Sequence, residues 1–201
     1  MIALCFEVTP RPGEDDHYLQ IAASLRPELD ANGGCLFLDR YRSLSRPRTM
    51  LSHQLWADEG SLTRWRTNAR HHTAQTAGRA QVFEDYRLRV GAVVLEGAPG
   101  KVLREHAVGV AYNDPAHVPE RWMLVVRSSG VPFADDGEVY RSVYRDTDYA
   151  FVGAVADRAS GLYLIDRALS DPATAAAHLC LVSRDYGMTD RREAPQYFAG
   201  A

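Results

Sequence analysis

Tyr41-Arg42-Ser43-Leu44 and Tyr140-Arg141-Ser142-Val143 are two copies of one phrase, and their spacing decides how the chain is read. Met50 to Asp58 lies opposite Tyr149 to Asp157 at the same offset. Self-similarity at a fixed offset marks a duplicated unit. Asp85-Tyr86 recurs as Asp185-Tyr186 at nearly that offset. A rival register sets Val90 to Val94 against Leu179 to Ser183 and shortens the last helix. The sequence leaves both registers open.

Around the first copy the elements follow from spacing. Ile2 to Val8 reads as a strand, ended by Pro10, Pro12 and Gly13. Tyr18, Ile21, Ala22, Leu25 and Leu29 share a helical face within Glu14 to Asn32, with Pro27 bending or shortening the helix. Asn32-Gly33-Gly34 stops it. Cys35 to Ser43 and Thr49 to Trp56 are strands. Asp58 caps a helix from Glu59 to about Ala80, with a break near Asn68. A fourth strand centres on Tyr86 to Val94. The order is β-α-β-β-α-β, the ferredoxin-like arrangement.

The second half replays that order. His106 to Tyr112 is a strand, Asn113 to Pro119 a turn, Glu120 to Ser129 a short helix and Gly130 to Gly137 a loop. Glu138 to Tyr144 and Tyr149 to Ala156 are strands, Ser160 to Ala177 a helix interrupted at Pro172, and His178 to Tyr186 the last strand. Glu96-Gly97-Ala98-Pro99-Gly100 marks the boundary. The expected domains are residues 1–95, a linker 96–105, and a degenerate second repeat 106–201. Each four-stranded sheet carries its helices on one face and must bury the other. The expected fold is therefore α+β: two sheets facing each other within one chain, closing a barrel without a partner and leaving a cavity between them.

Composition narrows the function classes. The 201 residues are 46% hydrophobic and 24% charged, with a net charge of −3, and the mean hydropathy is −0.30. These are values of a folded domain rather than a disordered chain. No basic balance points to nucleic acid, and no apolar run reaches the length of a membrane span. Met1 to Val8 shows no charged leader or cleavage site, so a cytoplasmic protein is expected. Cys5, Cys35 and Cys180 lack metal-type spacing and read as reduced thiols. The seven histidines form no H-E-x-x-H pattern, and no Gly-rich phosphate loop is present. Glu14-Asp15-Asp16 sits where the first helix begins and suits its N-terminus.

Particular words in residues 1–95 resemble the antibiotic biosynthesis monooxygenase (ABM) family. They include Phe6-Glu7-Val8, Tyr18 through Pro27, Ser43-Leu44 followed by Pro47, Leu55-Trp56, Trp65-Arg66, Ala74-Gln75, Gly78-Arg79 and Asp85 through Val90. Arg184-Asp185-Tyr186-Gly187-Met188 resembles the tail after the last strand of single-repeat members. The resemblance implies a dimeric-type α+β barrel, here closed intramolecularly, and a small-molecule cavity per sheet. The family includes cofactor-independent monooxygenases that oxidise aromatic polyketides to quinones, heme-binding and heme-degrading monooxygenases, and members of unknown activity.

Heme-degrading relatives place the iron-ligating His ten residues after the second Trp, a position held here by Gln75. They also use an Asn near the end of the first strand, where Glu7 is the nearest residue. Amides are poor iron ligands beside imidazole, so no cofactor is expected; were heme bound, His71 would be the substitute ligand. For quinone-forming chemistry, Trp supplies a flat wall and Arg or His a donor to the phenolate. The candidate catalytic residues are Trp56, Trp65, His53, Glu7 and Tyr86, and the candidate substrate contacts are Asn68, His71, Arg40 and Arg87. His53 shares a strand face with Leu51 and Leu55, and a satisfied core histidine is its plainer reading; a solvated helix-face pair is that of His71 and His72.

The expected function is a monooxygenase acting with dioxygen on an aromatic or polycyclic small molecule, without flavin or nicotinamide, as a monomer or homodimer. A heme-using enzyme on the same fold and a non-catalytic ligand-binding protein are the alternatives. The working pocket is expected in the first half, with the second half mainly lid and scaffold, since Trp56, Trp65 and His71-His72 have only Tyr149, Phe151 and Tyr163 opposite them.

Overall fold

The computed structural model describes residues 1–100, 103–106, 120–132 and 136–195. Of the expected strand 106–112 only His106 is described, just after the short strand Arg104–Glu105; the rest and the turn 113–119 lie outside the described residues. The first half runs β1 (Ile2–Pro10), α1 (Asp15–Ser24), α2 (Arg26–Asn32), β2 (Cys35–Ser43), β3 (Met50–Trp56), α3 (Glu59–Thr67), α4 (Ala69–Ala77), a π-helical turn (Gly78–Val82) and β4 (Phe83–Gly97). Glu96 and Gly97, read from sequence as linker, thus continue the strand. The described part of the second half runs β5 (Arg104–Glu105), β6 (Trp122–Ser128), β7 (Gly137–Ser142), β8 (Tyr149–Val155), α5 (Arg158–Leu169) and β9 (Thr174–Gly187).

Local chemistry explains the breaks. Pro27 stands in the first turn of α2, where its missing N–H costs no helical hydrogen bond. Asn68 leaves helical geometry with ψ 127°, and its side chain accepts from the His71 N–H at 3.0 Å, ending α3 and capping α4. Asp58 and Asp157 cap α3 and α5 identically, each accepting from a backbone N–H three residues on, Ser61 and Ser160, both at 2.7 Å.

The helix expected over 120–129 is instead β6. Trp122-Met123-Leu124-Val125-Val126 is a continuous apolar run with two β-branched residues, buried on both faces between β8 and β9. Such a run suits a central strand, and nothing in it marks a polar helical face. No helix stands between β6 and β7 among the described residues, where the second repeat shows one of the two expected helices. The long last helix is also corrected. α5 stops at Leu169, and Ala175-Ala176-Ala177 belong to β9, where pairing with β6 and β4 overrides the helical preference of alanine.

Pairing decides the register. Ile2 faces Trp56 and Ala92, while Trp122 faces Val155 and Leu181. Trp56 and Val155 are equivalent in the repeat, so Ile2 matches Trp122 and Ala92 matches Leu181. Val90 to Val94 therefore correspond to Leu179 to Ser183, and the echo of Asp85-Tyr86 in Asp185-Tyr186 is not a structural equivalence.

The strands join in the order β1-β3-β2-β7-β8-β6-β9-β4, and β4 pairs back onto β1. This is one closed barrel, not two sheets with a ligand space between them. Its interior is packed by Ala3, Cys5, Tyr41, Leu51, Met123, Tyr140, Val152 and Cys180 among others. The β2–β7 seam is nearly two-fold symmetric. Arg42 faces Arg141, Leu44 N–H bonds Val139 O at 2.9 Å, and Val143 N–H bonds Arg40 O at 2.8 Å. Glu138 accepts from Ser43 Oγ at 2.5 Å and from Arg46 Nε at 3.2 Å. Its counterpart Asp39 accepts from Ser142 Oγ at 3.3 Å and from Arg145 Nη2 at 2.6 Å. No helix among the described residues is long and apolar enough to cross a membrane.

His53 and His178 stand inside the barrel with ring centroids 6.5 Å apart. Burial pushes each down to about 3, helped for His53 by His178 and Arg127, and for His178 by Arg127 and His106. The folded protein thus excludes protons that the unfolded chain takes up below its ordinary histidine value. Stability is fully present above about pH 6.5 and falls as the pH approaches 3. In urea titrations between pH 7 and 4, His178→Gln should flatten this decline by up to about 1.4 kcal/mol per pH unit. An unchanged slope would refute the assignment.

Candidate functional site

Alternation along the strands sorts the candidates between two environments. On β1, Ala3 and Cys5 join the interior core, while Leu4, Phe6 and Val8 pack toward the helices. The space for a ligand lies on the helix side. A cavity of about 470 Å³ is walled by α3, α4, the π-helical turn, the outer face of β4 and β9, and the segment after β9. A smaller chamber of about 120 Å³ reaches toward α1 and β2, past Tyr18 and Arg40. Phe6, Gln54, Trp65, His71, Gln75 and Phe83 line both.

Trp65 and His71 form the partition. Their rings stack with centroids 4.2 Å apart and planes 16° from parallel. The His71 Nδ1 lies 2.9 Å from the Trp65 carbonyl, so it carries the proton and donates there. The break at Asn68 makes this possible by folding α4 back over the end of α3. Burial lowers His71 to about 4, against the opposing effect of the Trp65 carbonyl. The imidazole is neutral over the physiological range. The Gln75 amide nitrogen is 3.2 Å and 3.5 Å from its two ring nitrogens.

This arrangement bears on heme. The carbonyl that holds Nδ1 leaves the His71 Nε2 open, so the misfit lies at Gln75, which stands against this ring at the position of the iron ligand in the heme-degrading relatives and carries an amide, a poor iron ligand beside imidazole. The residues present do not fit heme in the manner of the heme-degrading relatives. Among the described residues, no group of three or more His, Cys, Asp or Glu side chains could hold a metal ion.

The remaining candidates divide. Tyr86 lines the large cavity, and its hydroxyl accepts from Arg191. Arg40 lines the smaller chamber. Trp56 does not line either space: it is fully buried in the core beneath them, donating to Gln54 Oε1 at 3.0 Å. Asn68 caps α4 and lines neither space. His53 points into the barrel with its Nδ1 3.4 Å from Leu4 O; it is buried, as the core reading had it, but not satisfied, because its Nε2 has no hydrogen-bond partner among the described residues. Glu7 is also interior, ion-paired with Arg89 at 2.5 Å and Arg46 at 2.8 Å, and accepting from Tyr140 at 2.8 Å. Burial opposes its ionisation, but the two arginines and the phenol together hold it below the usual carboxylate range. A carboxylate so engaged is a poor base. Arg87 pairs with Asp185 through Nε at 2.9 Å and Nη2 at 2.7 Å, outside the main cavity.

Sequence reasoning missed the wall supplied by Gln54, Arg79, Arg184, Tyr186 and Arg191. Gln54 was within reach, since it alternates with His53 and shares a face with Trp56. The contribution of the second repeat was not: β9 and the following segment line the cavity of the first half, which is more than a scaffold's part. On the corresponding face of the second half, Ile165 and Ala168 of α5 are fully buried against Leu124, Phe151 and Leu179, and Tyr163 is exposed.

Comparison with known proteins adds the following. A family model described as antibiotic biosynthesis monooxygenase matches residues 1–77. A protein of Pyricularia oryzae named jasmonate monooxygenase ABM is 36% identical over 222 positions, covering 100% of both chains. A solved structure from Fusobacterium nucleatum, described as a candidate monooxygenase, is 10% identical, covers 92% of this chain and 93% of its own, and has a TM-score of 0.45. One from Deinococcus radiodurans, described as a candidate antibiotic biosynthesis monooxygenase, is 15% identical, covers 53% and 100%, and has a TM-score of 0.42.

The placement of the two tryptophans separates stability from binding. Trp56→Ala should destabilise the fold by about 3–5 kcal/mol, the range for emptying a buried aromatic site. Trp65→Ala should weaken binding of ring compounds about tenfold or more at a smaller cost in stability. Denaturant midpoints and ligand titrations check this, and equal effects on binding would count against it.

Proposed function

The chain belongs to the antibiotic biosynthesis monooxygenase family, and on that footing we propose that it oxygenates a ring-bearing small molecule held in the helix-side cavity, with dioxygen and without flavin or nicotinamide. The observation that carries this reading is the cavity itself, with a neutral imidazole, His71, built into an aromatic wall. A volume of about 470 Å³ suits one small-molecule ligand. Trp65, Phe83 and Tyr86 offer flat surfaces for an aromatic or polycyclic body.

The chemistry balances without an added reductant. Deprotonation of a phenolic or enolic hydroxyl makes the ring an electron donor to dioxygen. One oxygen atom enters the substrate as a carbonyl. The other leaves as water with two hydrogens that the substrate gives up, so the substrate supplies the electrons that flavin or nicotinamide would otherwise bring. With Nδ1–H directed at the Trp65 carbonyl, His71 keeps Nε2 as its acceptor. Its low proton affinity suits hydroxyls acidified by conjugation to a ring carbonyl better than simple phenols, whose protons lie about six pH units higher. The name of the Pyricularia relative adds jasmonate to the compounds worth testing.

An oxygen electrode with hydroxylated ring ketones and no added cofactor provides the test. Dioxygen uptake with one labelled oxygen atom per product is expected, and none with any ring substrate would overturn the reading. Because His71 is neutral down to about pH 4, kcat/KM should stay level from pH 8 to about 5 and fall only near 4. A limb near 6.5 would remove His71 as the acceptor.

A further inference from the structure

The large cavity carries a charge imbalance. Among the described residues lining it, four are arginines, Arg66, Arg79, Arg184 and Arg191, and none is an aspartate or glutamate. They come from four separate parts of the chain: α3, the π-helical turn, β9 and the segment after β9. Arg184 is only 3% exposed. Its Nη2 donates at 2.7 Å to Glu59 Oε1, on a residue that does not itself line the cavity, so the guanidinium is anchored without a carboxylate entering the ligand space.

The arginines are not scattered. Arg184 lies directly opposite Val90, and Tyr186 opposite Leu88, which puts all four side chains in one row on the outer face of β4 and β9. Arg191 donates to the Tyr86 hydroxyl, and its guanidinium carbon lies 5.6 Å from the centroid of the Tyr186 ring. Arg184, Tyr186, Arg191 and Tyr86 thereby form a continuous basic edge. Leu4, Leu62, Leu88 and Val90 supply an apolar body to the same cavity.

Arg184 is buried and anchored on Glu59, and Arg191 is exposed; a ligand that fills the cavity takes water from cations that stand beside leucines, which is costly unless it brings an anion. A neutral ligand would fill the apolar walls and strip water from the arginines with nothing to replace it. A carboxylate would meet planar donors of matching geometry. We propose that the ligand of this cavity is a ring-bearing carboxylate, its apolar body against Trp65 and the leucines and its carboxylate against Arg184 and Arg191, with Arg66 and Arg79 adding to the field. This rests on the reading of the cavity as the substrate site and gives the first repeat's pocket an anchor from the second.

Binding alone tests it, independent of turnover. Jasmonic acid, 2-naphthylacetic acid and the methyl ester of each are titrated into the full chain by calorimetry or by quenching of tryptophan fluorescence. The acids should bind about tenfold or more tighter than their esters, with affinity falling as salt rises. Arg191→Gln and Arg184→Gln should each weaken the acids by on the order of tenfold while leaving the esters unchanged. Because Arg184→Gln also breaks the contact with Glu59, Arg184→Lys is the control, and partial recovery of acid binding is expected. Esters that bind as tightly as acids, acids that do not bind, or acid affinity unchanged in Arg191→Gln and Arg184→Gln would overturn the proposal. Arginine-dependent acid binding without dioxygen uptake would retain the anion site and remove the oxygenase reading instead.

Discussion

The structure depends on the closing of one hydrogen-bonded ring of strands by two seams, β2 with β7 and β4 with β9. Each repeat alone would leave two strand edges and an apolar sheet face uncovered. An open edge is a template for unwanted pairing, and an exposed apolar face must find a cover. Joining the repeats edge to edge solves both at once. The β2–β7 seam is short, and charged hydrogen bonds reinforce it: Glu138 reaches Ser43 and Arg46 of the first repeat, while Asp39 reaches Ser142 and Arg145 of the second. Asp39 is buried and Glu138 half-buried; carboxylates drawn out of water need such partners, and here the partners lie across the seam.

Closure determines where chemistry can take place. With the interior filled by two tyrosines, two histidines and the Glu7–Arg89 pair, the barrel is a core rather than a container. The ligand space is displaced to the outside, under the helices. There the first repeat has α1 to α4 standing off the sheet and leaving a gap, whereas α5 packs directly onto its sheet. The two sides differ in their side chains: Trp65 and His71 wall the gap on one, and Ile165 and Ala168 sit flush on the other.

Most of this was legible in the sequence where the signal was local. The phrase at Tyr41 and Tyr140, the caps Asp58 and Asp157, and the break at Asn68 all register as short-range chemistry, and each has its structural counterpart. The signal failed where partners far along the chain decide. The apolar, β-branched run Trp122 to Val126 carried a strand signal that the helix reading overlooked, whereas the alanines at 175–177 take strand geometry because strands flank them, which no local propensity reveals. The site was half legible for the same reason. Trp65, His71 and Tyr86 are neighbours along α3, α4 and β4, but Arg184 and Arg191 reach them only through the pairing of β9 with β4. Glu7 and His53 were plausible as chemistry until the strand alternation turned them inward. The choice of face is a property of the closed ring, not of either residue.

The lining of a first-repeat cavity by β9 and its tail has a consequence for how such a protein can change. In an assembly of two identical chains, each altered codon appears at two places, and a substitution that helps one wall is imposed on its symmetric copy. A duplicated and fused chain releases that constraint. Position 184 can become a deeply buried cation while its repeat counterpart follows an entirely different course. The ring of strands records the ancestry of two equal halves, and the residues around the cavity record the freedom gained once the halves could be edited one at a time.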